Sequence, residues 1–191
     1  SNFFAMISRL KYIDRWALMR NTHEENLSEH CMETACIAHA LAVIGNRRFG
    51  KYYNAERAAL LGLYHDAPET LTGDMPTPVK YYSPHIREAY AQVEQSACEH
   101  LVSMLPVDLR ADFAPLFFKD ESDEELWKLV KAADKICAYI KCIEEKKAGN
   151  TEFDRAAEST LESINALGMP EAEEFMKEFL DGYRLTLDEI K

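Results

Sequence analysis

Apolar residues recur along this chain at spacings of three and four, the period of one helix face. Phe3, Phe4, Ile7 and Leu10 predict a short amphipathic helix over residues 2–12, and the periodicity breaks at Asp14-Arg15-Trp16. Ser28 is placed to cap a helix running to about Arg48, with His30, Thr34, Ile37, Leu41 and Ile44 on one stripe. Asn54 caps a second helix that ends at His65-Asp66, and Pro68 closes it because proline breaks the hydrogen-bond ladder. Residues 67–83, rich in Gly and Pro, read as irregular, and a helix resumes from Pro84 to about Leu105 with a shorter one after Pro106. Ser122 to Glu125 reads as a capping box for a long helix reaching Gly149-Asn150, whose stripe includes Val130, Ala133, Cys137 and Ile140. Helices over about 151–167 and 171–182 and a short tail complete the chain. No strand-like alternation, internal repeat or low-complexity tract interrupts this, so the pattern predicts an all-α, single-domain bundle spanning residues 1–191.

Composition narrows the function. At 191 residues the chain suits one domain with a sizeable core. Its net charge of −11 argues against sequence-independent nucleic-acid binding, which needs clustered cations to neutralise phosphates. A small anionic substrate remains feasible if a metal ion and a few local cations offset the field. The five cysteines lie in helical patterns without CxxC spacing, and read as buried free thiols of a reducing, cytoplasmic compartment. No apolar run is long enough for a membrane span, and the start Ser1-Asn2-Phe3-Phe4-Ala5-Met6 lacks the features of a signal peptide.

The chemistry gathers around Leu61-Gly62-Leu63-Tyr64-His65-Asp66-Ala67-Pro68-Glu69-Thr70. An imidazole and a carboxylate side by side make half of a divalent-metal site. His30 at one helix start and Asp134 inside the apolar stripe of another supply the other half. An isolated carboxylate is expensive to bury, so Asp134 in particular calls for a cation. Two imidazoles and two carboxylates on three core helices suit one Mn, Co, Fe, Ni or Zn ion.

This ordered set, His30, His65-Asp66 and Asp134, resembles the signature of the HD superfamily of metal-dependent phosphohydrolases, which is all-helical. A closer likeness covers nearly the whole length. Ser-Arg-Leu-Lys near the start, Arg15-Trp16, Ser28-Glu29-His30, Tyr-His-Asp-Ala-Pro-Glu, the run from Leu71 to Lys80 and Cys-Ala-Tyr-Ile-Lys-Cys are similar to the bacterial YfbR-type 5′-deoxyribonucleotidases. The resemblance implies a homodimer that uses a divalent metal to remove phosphate from deoxyribonucleoside 5′-monophosphates. Pro68 departs from the family pattern, which has Ser there, and could alter the turn that aims Glu69.

On that reading His30, His65, Asp66 and Asp134 hold one divalent transition ion. Glu69, near the ligands but not among them, is the candidate general acid or base. Arg15 is suited to grip the phosphate, since its planar fork matches two oxygens, although an ion pair with Asp14 or a neighbouring Glu would explain it equally. Trp16 could pack on the sugar and leave no room for a 2′-hydroxyl, or be plain core. Asp74 could accept from the 3′-hydroxyl or serve only its turn, while Thr77 and Lys80 could line the phosphate side. No cluster of Asn and Gln side chains near the motif suggests a base reader, so broad base tolerance is expected.

Two alternatives stay open. Another HD phosphohydrolase would act on nucleoside triphosphates or phosphodiesters, but triphosphates call for more cations than Arg9, Arg15, Arg20, Lys80 and Lys135. A non-catalytic nucleotide-binding scaffold on the same fold is the other, and it would predict loss of a ligand, whereas all four are present.

Overall fold

The computed structural model describes residues 1–80 and 82–190. Tyr81, inside the stretch expected to be irregular, and the terminal Lys191 lie outside the described residues. Among those described there is no strand, only an isolated antiparallel bridge between Asp14 and Asn26.

The centre of the molecule is built from α2 (Leu27–Arg48), α3 (Ala55–Tyr64) and α8 (Glu124–Lys147). Leu41, Leu61, Leu129, Ile136 and Ile140 are fully or almost fully buried between them, each burial being worth roughly 1.5–3 kcal/mol. Outside this core, α9 (Asp154–Asn165) lies against α8, and α10 (Pro170–Phe179) lies against α2. A smaller apolar cluster joins Phe3 of α1 (Phe3–Ile7) to Ala67 and to Leu101 of α6 (Pro84–Ser103). The stripe His30, Thr34, Ile37, Leu41 and Ile44 is buried along its whole length.

Several local expectations are corrected. The cap of α2 is Asn26, not Ser28: its side chain accepts from the Glu29 amide, and Glu29 accepts from the Asn26 amide. The residue three before a Glu is the one that closes a reciprocal box, and here that is Asn26. Ser122 does not open α8. Asp120 instead accepts from the Ser122 amide and starts a 3₁₀ turn over Glu121–Asp123, which leads into the helix. The first predicted helix divides into α1 and a 3₁₀ segment over Ser8–Tyr12. Within 67–83 two single turns form, α4 (Glu69–Thr72) and α5 (Thr77–Lys80). The remaining short helix is α7 (Arg110–Phe113). All five cysteines are free thiols, but Cys36 is exposed rather than buried.

Gly62 decides how closely the two histidine-bearing helices approach. A Cβ at Gly62 would stand 2.9 Å from the Ala35 Cα, so any side chain would push α3 off α2. With hydrogen there, the His30 and His65 rings come to 5.1 Å between centroids.

Candidate active site

The four metal-ligand candidates arrive from three parts of that core. His30 sits in the first turn of α2, fully buried, where the capping box fixes the helix start. His65 and Asp66 follow the last residue of α3, and Asp134 lies midway along α8. Asp134 Oδ1 is 3.1 Å from His30 Nε2. Asp66 Oδ2 is 3.1 Å from His65 Nε2 and 3.5 Å from His30 Nε2. One donor atom each from His30, His65 and Asp134 lies within 4.8 Å of the others. Donors about 2.1 Å from a shared ion stand roughly 3–4 Å apart, so this spread needs little contraction to suit one.

Asp134 is not enclosed in the core as its apolar neighbours in sequence suggest. Its side chain is 39% exposed, with Oδ1 turned to His30 Nε2. Burial would raise its pKa, but hydrogen bonding and charge from His30, then His65 and Arg15, hold it well below the usual carboxylate range.

The imidazoles are oriented by their outer nitrogens. His65 Nδ1 donates to the Gly62 carbonyl at 2.7 Å, which directs Nε2 inwards. That Nε2 is buried without a hydrogen-bond partner, although the Asp66 carboxylate is close. Burial opposes a charge on His65, but Asp66 overcomes it and raises the pKa well above the ordinary value. The position therefore attracts positive charge, whether proton or metal. Burial and the Arg15 guanidinium lower the pKa of His30, which favours the uncharged ring over the charged one.

Glu69, at the start of α4, is 9% exposed with Oε2 unpartnered. Burial, reinforced by Asp66 and Asp74, pushes its pKa up to about 9. It thus carries a proton at neutral pH within reach of the cluster's field.

Arg15 joins the site from the loop before α2. Its NH1 lies 3.2 Å from Glu25 Oε1 and 2.7 Å from His30 Nδ1, and its NH2 is 3.7 Å from Asp134 Oδ1. The ion pair open to Arg15 in sequence is made with Glu25, not Asp14. Trp16 has φ of 58°, the left-handed region that costs a bulky residue on the order of 1–3 kcal/mol. Its indole donates to Glu25 Oε2 at 3.0 Å and meets the Phe153 ring edge-on at 5.3 Å.

Asp74 is half-buried beside Arg15 and Asp66, and burial raises its pKa while Arg15 and the Trp16 backbone oppose the rise. Lys80 ion-pairs with Glu94 at 2.7 Å and covers the Tyr90 ring, close enough to weigh against the Glu69 proton. Thr77 is exposed at the first residue of α5, and no hydrogen bond ties it to the cluster. Two site neighbours escape the sequence pattern. Cys31 stands with His65 and Asp66 as a second potential ligand group, its only signal being adjacency to His30. Glu25 is one of 33 acidic residues, with nothing in the periodicity to single it out.

Residues 2–183 match the family model described as 5′-deoxynucleotidase YfbR-like. A 5′-deoxynucleotidase of Photorhabdus temperata is 50% identical over 190 residues, covering all of this chain and 96% of the relative. The YfbR 5′-deoxynucleotidase of Escherichia coli has the same identity and coverage. Among solved structures, an HD-domain phosphohydrolase from Listeria innocua superposes with a TM-score of 0.82 at 24% identity, over 95% of this chain and 88% of that one. The HD phosphohydrolase of cyanophage S-2L, bound to dA and one catalytic Zn²⁺, gives 0.67 at 20% identity, over 95% and 96%.

Proposed function

The chain belongs to the YfbR-like 5′-deoxynucleotidase family, and from that premise we propose how its residues divide the work. The protein is a 5′-deoxynucleotidase, an HD-fold phosphoric monoester hydrolase that converts deoxyribonucleoside 5′-monophosphates to deoxyribonucleoside and phosphate. The reading of its site rests on one observation: donor atoms of His30, His65 and Asp134 lie within 4.8 Å of one another, Asp66 stands 3.1 Å from His65 and 3.5 Å from His30, and the inner nitrogen of His65 is left without a hydrogen-bond partner. These four side chains hold one divalent transition ion. The Zn²⁺ bound by the cyanophage neighbour supports an ion of that class without fixing its identity here. Such an ion supplies Lewis acidity, lowering the pKa of water and offsetting charge on the phosphoryl group.

The rest falls to the chain itself. Arg15, at the cleft edge beside Asp134, places its planar fork against two phosphate oxygens. Glu69 carries the proton that the departing 5′-oxygen requires. Trp16 would pack on the sugar and leave no room for a 2′-hydroxyl, and Asp74 would accept from the 3′-hydroxyl. Thr77 and Lys80 stand further out, and Lys80 reaches the phosphate only by leaving Glu94. The sequence places no cluster of Asn and Gln side chains near the motif, so dAMP, dGMP, dCMP and dTMP turn over at rates within about tenfold of one another. No helix among the described residues is long and apolar enough to cross a membrane. A cytoplasmic homodimer accords with the resemblance.

The test is phosphate release from dAMP by chelator-stripped protein, with and without Co²⁺. Activity should return with the ion, and His65→Ala and Asp134→Ala should stay below about one-thousandth of it. Mutants as active as the parent would refute the metallohydrolase reading.

A further inference from the structure

Glu25 is a buried carboxylate to which the chemistry above gives no task, yet it touches three groups of the site. Residues 13–15 and 25–27 pair across the Asp14–Asn26 bridge: the Arg15 amide donates to the Glu25 carbonyl at 2.8 Å, and the Leu27 amide to the Ile13 carbonyl at 2.9 Å. This brings the Glu25 side chain onto Arg15 NH1, at 3.2 and 3.3 Å from its two oxygens, and onto the Trp16 indole, at 3.0 Å. Its Oε1 also lies 3.7 Å from His30 Nδ1. Both Glu25 and Arg15 are nearly enclosed, so the pair is not a solvent-screened surface contact of small consequence.

We propose that Glu25 is a positioning residue that fixes the reach of Arg15 and the pose of Trp16, and so sets substrate KM and the preference for deoxyribose over ribose. This rests on reading Arg15 and Trp16 as the phosphate and sugar contacts. An arginine has many rotamers, and a tether that holds its fork at the cleft removes the ordering cost from substrate binding. Trp16 holds a left-handed backbone, and the bond from its indole to Glu25 opposes relaxation of the ring away from the sugar. The sign of the effect separates positioning from simple field. Neutralising Glu25 without disturbing geometry would favour an incoming phosphate and lower KM, whereas loss of a tether raises it.

The experiment uses the full chain loaded with Co²⁺, comparing Glu25→Gln and Glu25→Ala with the parent on dAMP and AMP. Co²⁺ affinity is measured by calorimetry alongside. The Gln variant keeps an acceptor for the indole but loses the charge-assisted bond, so KM for dAMP rises about tenfold, with kcat and Co²⁺ Kd within about threefold and the dAMP/AMP ratio kept. The Ala variant loses both bonds, so KM rises at least as far and the ratio of kcat/KM for dAMP over AMP falls about tenfold. A lower KM in the Gln variant, an unmoved ratio in a folded Ala variant, or a loss confined to kcat and Co²⁺ affinity would overturn the proposal. Should Glu25→Ala fail to fold, the KM of Glu25→Gln, nearly the same in shape, decides alone. Arg15→Ala and Trp16→Ala separate the premise from the inference. If Arg15→Ala leaves KM unchanged and Trp16→Ala leaves the ratio unchanged, the reading of those contacts fails; if they change these values and the Glu25 variants do not, only the role of Glu25 fails.

Discussion

Glu69 sits in an environment far from what a carboxyl prefers. Its carboxyl sits in a pocket that withholds solvation and faces Asp66 and Asp74, and its pKa of about 9 follows from both. A group raised in this way makes stability depend on pH with a definite sign. Between about pH 4.5 and 9 the folded chain keeps a proton that the unfolded chain has released, so stability falls as pH rises across that window, and nothing is lost below it. Glu69→Gln removes the penalty. In the presence of chelator it should melt about 4 °C or more above the parent at pH 8, the gap closing towards pH 4.5. The same variant should lose roughly 10²–10⁴ in kcat while still binding one ion. Equal melting at pH 8 would mean that Glu69 titrates normally and offers no proton at neutral pH.

At the scale of elements, the proposed site depends on α2, α3 and α8 coming close, and at Gly62 that approach leaves no room for a Cβ. Gly62→Ala should separate α3 from α2 and draw the His65 ring and its Gly62 carbonyl anchor away from His30. A drop of at least about tenfold in Co²⁺ affinity, with the helical content retained, is the expected outcome. Unchanged affinity would show that the helices yield without moving the ligands. The long helices were legible in the sequence, because buried stripes impose a period of 3.6, and the four proposed ligands stood out as polar residues on or beside those stripes. Less legible was what polar contacts decide. Asn26 and Ser28 both look like caps, and only the reach of Glu29 back to the Asn26 amide chooses between them. The partial exposure of Asp134 depends on what faces it from other elements, which α8 alone does not reveal. Glu25 gains its place through the pairing of two short loop segments, an arrangement without any periodicity to read.

Across the whole molecule, a second polar network ties the Arg15-Trp16 loop to α8. Glu145 is 1% exposed and accepts from the Thr22 amide and hydroxyl, the His23 amide, the Lys141 ammonium and the Asn150 side chain. Asn150 also donates to the Arg20 carbonyl, and Lys141 to the His23 carbonyl. Burial alone would raise the pKa of Glu145, but Lys141 and these donors hold it down at about 2. Its contribution is present above about pH 4.5 and is lost as pH falls towards 2. Glu145→Ala strands a buried ammonium, which costs about 3–5 kcal/mol. A fall in melting temperature of about 10 °C at neutral pH, shrinking in acid, is expected. A melting point within 2–3 °C of the parent, roughly the span of one kcal/mol, would mean that water replaces the lost carboxylate.

The convergence of four donors on one ion is tested most directly by titrating chelator-stripped protein with Co²⁺ and reading heat and visible absorbance together. One ion per chain is expected, with binding abolished or weakened at least about a hundredfold in His65→Ala and in Asp134→Ala. Two ions per chain, no binding at all, or undiminished affinity in those variants would contradict it.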